Sequence, residues 1–222
     1  MKVISALLVA LASLAITSIL VCAQTDNAAK PRTVKGQVLT SPAMPAVSMK
    51  FDKSFKYAGT QSFVLYNVAN AEQHFFVDAD KQGRIRRLYW VQFEGYLPNN
   101  THAYRYQATK TVNLGGLDFI ADADARNRKE NPSRPNSDGS RAQAFLESKG
   151  YRLGDEVLLQ RLVHLIDEAK RNELMVIYLE DLSALGFTAA DFTPAGKAVA
   201  KWGYVSRGLL DRAVKGMQIS KL

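Results

Sequence analysis

The sequence predicts an α+β fold, an antiparallel β-meander of about four to six strands packed against C-terminal helices in a single domain. Three observations predict it. Residues 55–114 hold short runs rich in aromatic and β-branched side chains, separated by turn residues. Residues 140–213 hold apolar stripes at helical spacing. No internal repeat or second apolar segment divides the chain, and a chain of this length buries one sizeable core.

The N-terminal end has its own character. After Lys2, Val3 to Val21 are all apolar or small, and Val21-Cys22-Ala23 places modest side chains where a signal peptidase reads. Residues 1–23 are therefore expected to be a signal peptide cleaved after Ala23, and the protein to be secreted or periplasmic. The same run is nearly long enough to stay as an uncleaved anchor, the one expected route to a membrane. Cleavage leaves a cysteine-free mature chain, without disulfides, thiol chemistry or a Cys-ligated zinc site. Residues 24–48 carry Pro31, Pro42 and Pro45 among small polar residues and read as a flexible tether, so the folded domain is expected over 49–222. The net charge is +8, and +7 without Lys2. It is scattered, and an exported chain is not expected to meet nucleic acid. Its densest cluster is Arg126, Arg128, Lys129 and Arg134.

Within the domain, Phe63–Tyr66, Phe75–Val77 and Ile85–Tyr96 read as strands. Leu97-Pro98-Asn99-Asn100 turns the chain into a fourth, Tyr104 to Leu114, which Gly115-Gly116 ends. Residues 118–125 fit strand or helix. A helix is expected from Ser140, as N-cap, to Gly150. Leu158, Leu162, Leu165 and Ala169 form the stripe of a second helix over Asp155–Lys170. Leu174–Leu179, short and wholly apolar, suits a buried strand returning to the sheet. Thr188 to Asp191 resembles a capping box. Thr193 and Pro194 then begin a last helix, with Ala198, Trp202, Val205, Leu209 and Ala213 on its buried face.

The stretch Asp78-Ala79-Asp80-Lys81-Gln82-Gly83 resembles half a calcium loop. Tyr89 stands where a bidentate Glu should close the shell, and Arg84, Arg86 and Arg87 repel a cation. A hairpin turn with Gly83 in the left-handed region explains the same residues. If Asp80 pairs with Arg84, His74 faces Trp90 and Phe75 faces Tyr89. One face then carries Phe75, Val77, Tyr89, Val91 and Phe93. The other carries His74, Phe76, Leu88, Trp90, Gln92 and Glu94. A mostly apolar face with a few polar groups suits a small-molecule pocket, although helices covering both faces would explain the same pattern.

The expected ligand-binding residues are His74, Trp90, Gln92 and Glu94, with Tyr96 and Tyr104. Trp90 would stack, Gln92 and Glu94 would orient polar groups, and His74 would hydrogen-bond. The occupant would be a small amphipathic molecule or an envelope component, bound without catalysis and without a cofactor. One alternative is a hydrolase using Glu94 with Asp118 or Asp122. Another is an interaction protein whose basic loop meets anionic envelope polymers. His74, His102 and His164 show no metal spacing; a cross-sheet set of His74, His102 and Glu94 is the one arrangement conceivable. No G-x-S-x-G, P-loop or G-x-G-x-x-G occurs.

Overall fold

A computed structural model describes residues 31–107 and 110–222. The expected signal peptide and its cleavage site lie outside the described residues. No helix among the described residues is long and apolar enough to cross a membrane.

Order begins earlier than composition predicts. Strands β1 (Thr33–Lys35), β2 (Val38–Ser41) and β3 (Val47–Phe51) begin within what reads as a tether. Leu39, Val47, Met49 and Phe51 are buried at alternate positions, a period-two signal too short to stand out from its polar surroundings. Pro42 and Pro45 sit in the loop between β2 and β3, where they remove no ladder donor.

The next strands are β4 (Lys56–Leu65), β5 (Ala69–Ala79), β6 (Ile85–Tyr96), β7 (Thr111–Leu114), β8 (Leu117–Asn127), β9 (Glu156–Leu165) and β10 (Asn172–Asp181). They form one antiparallel sheet in the order β4-β5-β6-β10-β9-β8-β7. Two meanders, β4 to β6 and β7 to β10, thus dock along β6 and β10. The final strand, β11 (Met217–Lys221), joins β3 to complete a second sheet, β1-β2-β3-β11. The fold is α+β in one domain, but among the described residues eleven strands in two sheets replace the smaller single meander.

Several predicted elements change type or extent. Asp155–Lys170 is not a helix but contains β9. Leu158 and Leu162 join the core on one face, while Val157 and Val163 belong to the core on the other. A strand covered on both faces is apolar nearly throughout and mimics a broad helical stripe. Among the described residues of Tyr104–Leu114, only Thr111–Leu114 are strand. The first part of this stretch crosses the sheet's end, because the chain must pass from β6, third in the sheet, to β7 at the far edge.

Helix α1 (Asp138–Ser148) begins at Ser137, whose hydroxyl accepts the Ser140 N–H at 3.1 Å. Helix α2 (Trp202–Lys215) starts later than Pro194 predicts. The Asp191 carbonyl takes the Ala198 N–H at 2.8 Å, and Gly196 lies against the Ala190 and Asp191 carbonyls, which turns the chain before α2. The capping box is present, with the Asp191 carboxylate accepting the Thr188 N–H at 2.9 Å.

The seven-stranded sheet separates two cores. On one face Phe76, Tyr89, Val176 and Tyr178 pack against the small sheet and α2, and the Tyr89 hydroxyl donates to the Ala213 carbonyl at 2.6 Å. On the other, Phe75, Leu88, Trp90, Met175 and Ile177 meet Ala142 and Leu146 of α1. A single helix of this length cannot cover a seven-stranded face, and the loop of residues 127–137 lies over the adjoining part, so that Leu88, Trp90, Met175 and Ile177 are at most 7% exposed.

Candidate functional site

The β5–β6 hairpin determines which side chains reach the α1 face of the sheet. Its turn is the expected one. The Asp80 carboxylate accepts the Gln82 and Arg84 N–H groups at 2.9 Å each, and Gly83 has φ +80°. The Asp80 N–H donates to the Arg84 carbonyl at 3.0 Å, as the pairing of these two residues requires. A bulge follows, however. Asp78 pairs with Arg87 and Ala79 with Ile85, which leaves Arg86 as an inserted residue. Both Arg86 and Arg87 donate to the Asp78 carboxylate, Arg87 at 2.6 and 2.9 Å.

This insertion moves the register by one and exchanges the faces of β5. His74 pairs with Val91 rather than Trp90, Phe75 with Trp90, and Phe76 with Tyr89. His74 therefore leaves the expected binding set. It is buried on the small-sheet side, its Nδ1 3.1 Å from the Tyr57 hydroxyl and its Nε2 2.7 Å from Glu72, which in turn holds Arg32. Gln73 and Phe75 take its place on the Trp90 face. His74 and Glu94 lie on opposite faces, so the conceivable His74, His102 and Glu94 set is not assembled. Among the described residues no group of three or more His, Cys, Asp or Glu is arranged to hold a metal ion. His164 lies on β9, with Nδ1 3.0 Å from the Asp118 carbonyl.

Between this face and the elements that cover it lies a cleft of about 980 Å³. Its floor is Leu88 and Trp90 from β6, Met175, Ile177 and Leu179 from β10, and Val157 and Leu159 from β9. Ala142, Gln143 and Leu146 of α1 form one wall, and the loop from Asn127 to Ser137 forms another.

Beyond Met175 on the same face stands a polar group. Glu94 and Glu173 are directly opposed across β6 and β10. An amide relay leads to Glu94: Gln61 donates to Gln73 at 2.7 Å, Gln73 to Gln92 at 2.7 Å, and Gln92 to Glu94. The Trp90 indole N–H donates to the Gln92 carbonyl oxygen at 3.2 Å, and Gln73 also holds the Asp138 carbonyl at the start of α1, at 3.2 Å. The crossing segment supplies two hydroxyls. Tyr104 donates to Glu94 at 2.8 Å and Tyr106 to Glu173 at 2.5 Å. Tyr96 stacks on Tyr104, with ring centroids 4.5 Å apart. Glu94 also borders a second hollow of about 670 Å³ with Phe63, Tyr96 and Pro98.

Five of the six expected residues, Trp90, Gln92, Glu94, Tyr96 and Tyr104, thus gather at one end of this face. Burial raises the Glu94 pKa above the ordinary carboxylate value. Burial likewise raises Glu173, to about 7; the Tyr106 hydrogen bond opposes the rise and the Glu94 charge adds to it. Burial beside these carboxylates pushes the Tyr104 and Tyr106 hydroxyls well above the usual phenol value.

The other acids do not join this group. Asp122 is held by Arg161 at 3.1 and 2.5 Å, Asp124 by Arg126 at 2.7 Å, and Asp118 by Asn113 at 2.6 Å. Asp118 is three strands from Glu94, about 14 Å along the sheet. That exceeds the separation of paired carboxylates in glycoside hydrolysis, about 5–9.5 Å. Glu173 is the carboxylate that meets Glu94. Of the basic loop, Arg126 is paired and Arg128 turns toward Leu153 and Gly154, which leaves Lys129 and Arg134 exposed. No known protein family matches the chain, and neither a curated protein nor a solved structure matches it.

Proposed function

We propose that the protein is an exported, non-catalytic binding protein for a small amphipathic molecule, held between the seven-stranded sheet and α1. The observation that carries this reading is the cleft of about 980 Å³ floored by Trp90, Met175 and Ile177. It falls in the size range of small-molecule pockets, about 300–1,000 Å³, and it pairs an apolar floor with walls rich in charged and polar side chains, the make-up that suits an amphipathic occupant. The ligand's apolar body lies on Trp90, and Gln92, Glu94 and the tyrosines close the end of the face beyond Met175. Export rests on the character of residues 1–23.

The chain has two tryptophans, Trp90 and Trp202. In a Trp202→Phe background the emission reports Trp90 alone. Titration with 1-dodecanol below its solubility limit should shift that emission saturably. Met175→Arg, which places a charge in the floor, should abolish the shift. An emission unmoved by any single-chain amphiphile would sink the reading.

The opposed carboxylates favour a second reading, carboxylate-dependent hydrolysis. Directly opposed residues of an antiparallel pair have Cβ atoms about 4.5–5.5 Å apart. A half-buried Glu94 beside a buried Glu173 supports one protonated and one ionised group near neutral pH, the pairing that acid–base hydrolysis uses. A panel of chromogenic glycosides and esters tests it. Turnover that survives both Glu94→Gln and Glu173→Gln rules it out.

A further inference from the structure

We infer that the cleft takes a hydrocarbon chain with an oxyanion head, a carboxylate or a phosphate, seated at Arg128. This rests on the binding reading above and adds the ligand's class. The charges that line the cleft are largely cancelled in place. Arg161 is held by Asp122 and Arg126 by Asp124. The Asp138 carboxylate accepts the Gly139 N–H at the start of α1, where the helix end favours an anion. Glu130 and Arg134 stand exposed on the rim.

Arg128 differs from all of these. It is half-buried, and its partners are neutral. One terminal nitrogen donates to the Leu153 and Gly154 carbonyls at 3.3 and 3.0 Å, and the other to the Gln143 side-chain oxygen at 2.7 Å. No carboxylate of the described residues lies within salt-bridge distance of it. Asp155 and Glu147 act on it only at longer range. Neutral acceptors orient a guanidinium without cancelling its charge, and three bonds leave two of its five N–H groups unused. The fork is therefore fixed against the wall between α1 and the start of β9, with charge still to give.

Its position sets the ligand's direction. Arg128 lies just past the end of β8, beside Leu153 and Val157, on the side of the cleft where Leu179 ends the floor. Glu94 and Glu173 stand beyond Met175, at the other end. Met175 and Leu179 are about 14 Å apart along β10. An anionic head is attracted to the Arg128 end and repelled from the carboxylate end. Its tail then lies along Leu179, Ile177 and Met175, over Trp90.

The test uses the full chain in the Trp202→Phe background, titrated with dodecanoate, dodecyl phosphate, 1-dodecanol and dodecyltrimethylammonium. One or both anions should bind roughly 10- to 100-fold more tightly than the alcohol, the range of a charge-assisted hydrogen-bonded contact. Which anion binds more tightly tells a carboxylate head from a phosphate one. The anion preference should weaken as salt is raised. Arg128→Gln should remove most of it, and Arg128→Lys, which keeps the charge, should retain part. Anions no tighter than the alcohol, a preference for the cation, or an Arg128→Gln variant that still folds and keeps the anion preference would overturn the inference. Binding of the alcohol alone leaves the binding reading standing without it, whereas binding of none of the four removes both.

Discussion

Glu94 and Glu173 oppose each other across β6 and β10, and each accepts a hydrogen bond from a different tyrosine of one crossing segment, Tyr104 and Tyr106. The segment passes over the sheet's end because β7 begins at the far edge. Two tyrosines at alternate positions of an extended chain point the same way, so both hydroxyls reach the sheet together. The fold thereby brings two carboxylates and their donors together from three places in the sequence.

Such a pair shares its protons, since two neighbouring carboxylates out of water do not both ionise readily. Burial takes Glu173 from 4.5 to about 7, with Tyr106 and Arg161 opposing the rise and Glu94 and Asp138 adding to it. Between those values the folded chain holds a proton that the unfolded chain has lost. Stability therefore falls as pH rises from about 4.5 to about 7, and is level above that. Glu173→Gln should remove this decline, on the order of 2–3 kcal/mol, when urea unfolding is compared at about pH 5 and pH 8. An unchanged slope in the variant would show that Glu173 titrates as an ordinary carboxylate.

Tyr106→Phe isolates the donor. It keeps the ring, over which the Arg161 guanidinium lies at 5.2 Å, and removes the hydroxyl on Glu173. The loss should be about 1–3 kcal/mol near pH 8, where the carboxylate is charged, and smaller near pH 5, where it is protonated. Chemical unfolding at the two pH values measures both. Equal losses would mean that the hydroxyl serves packing rather than the charge.

Gly83→Ala tests the hairpin turn. Gly83 has φ +80°, and a Cβ there would collide with the Gly150 carbonyl, itself the end of the α1 region. The Arg152 N–H donates to the Gly83 carbonyl at 2.8 Å, so the turn is docked and cannot swing away. The substitution combines backbone strain with a backbone clash, and a loss above about 1 kcal/mol is expected. A neutral Tm would show that the hairpin shifts freely against the 150–152 segment.

What the sequence reveals here is local, and what it conceals depends on distant partners. The turn at Asp80–Gly83, the end of α1 near Gly150, and the buried strand around Leu174–Leu179 all follow from residues within a few positions of one another, whereas α1 starts at Ser137, three residues before the expected cap at Ser140. That Trp90, Gln92, Glu94 and Tyr96 share one face follows from strand alternation alone. Glu173 was not legible, because β6 and β10 are separated by three strands and a helix in the chain, and their register appears only in the fold. Tyr106 did leave a signal, its alternation with Tyr104. The type of β9 was hidden because coverage on both faces erases the period-two pattern.

The exchanged face of β5 turns on one inserted residue, and it left a trace in the sequence: two adjacent arginines opposite one aspartate. Burial alone would raise the Asp78 pKa, but the hydrogen bonds and charges of Arg86 and Arg87 hold it below the ordinary value. A carboxylate lowered in this way contributes stability above its unfolded pKa, 3.8, and loses that contribution as pH falls through the lower folded value. Asp78→Asn should therefore destabilise by about 1–3 kcal/mol near pH 7, the range for hydrogen bonds to a charged group. Close to pH 3 and below, the wild type loses the same charge and the gap should narrow. Thermal unfolding of both proteins across that range measures it. The hydrophobic partners Phe75–Trp90 and Phe76–Tyr89 still favour the observed register in the variant, because a slip would send Phe76 to the cleft and Phe75 into the small-sheet core. An undiminished gap near pH 3 would assign the effect to the shape of the side chain at the bulge and not to its charge.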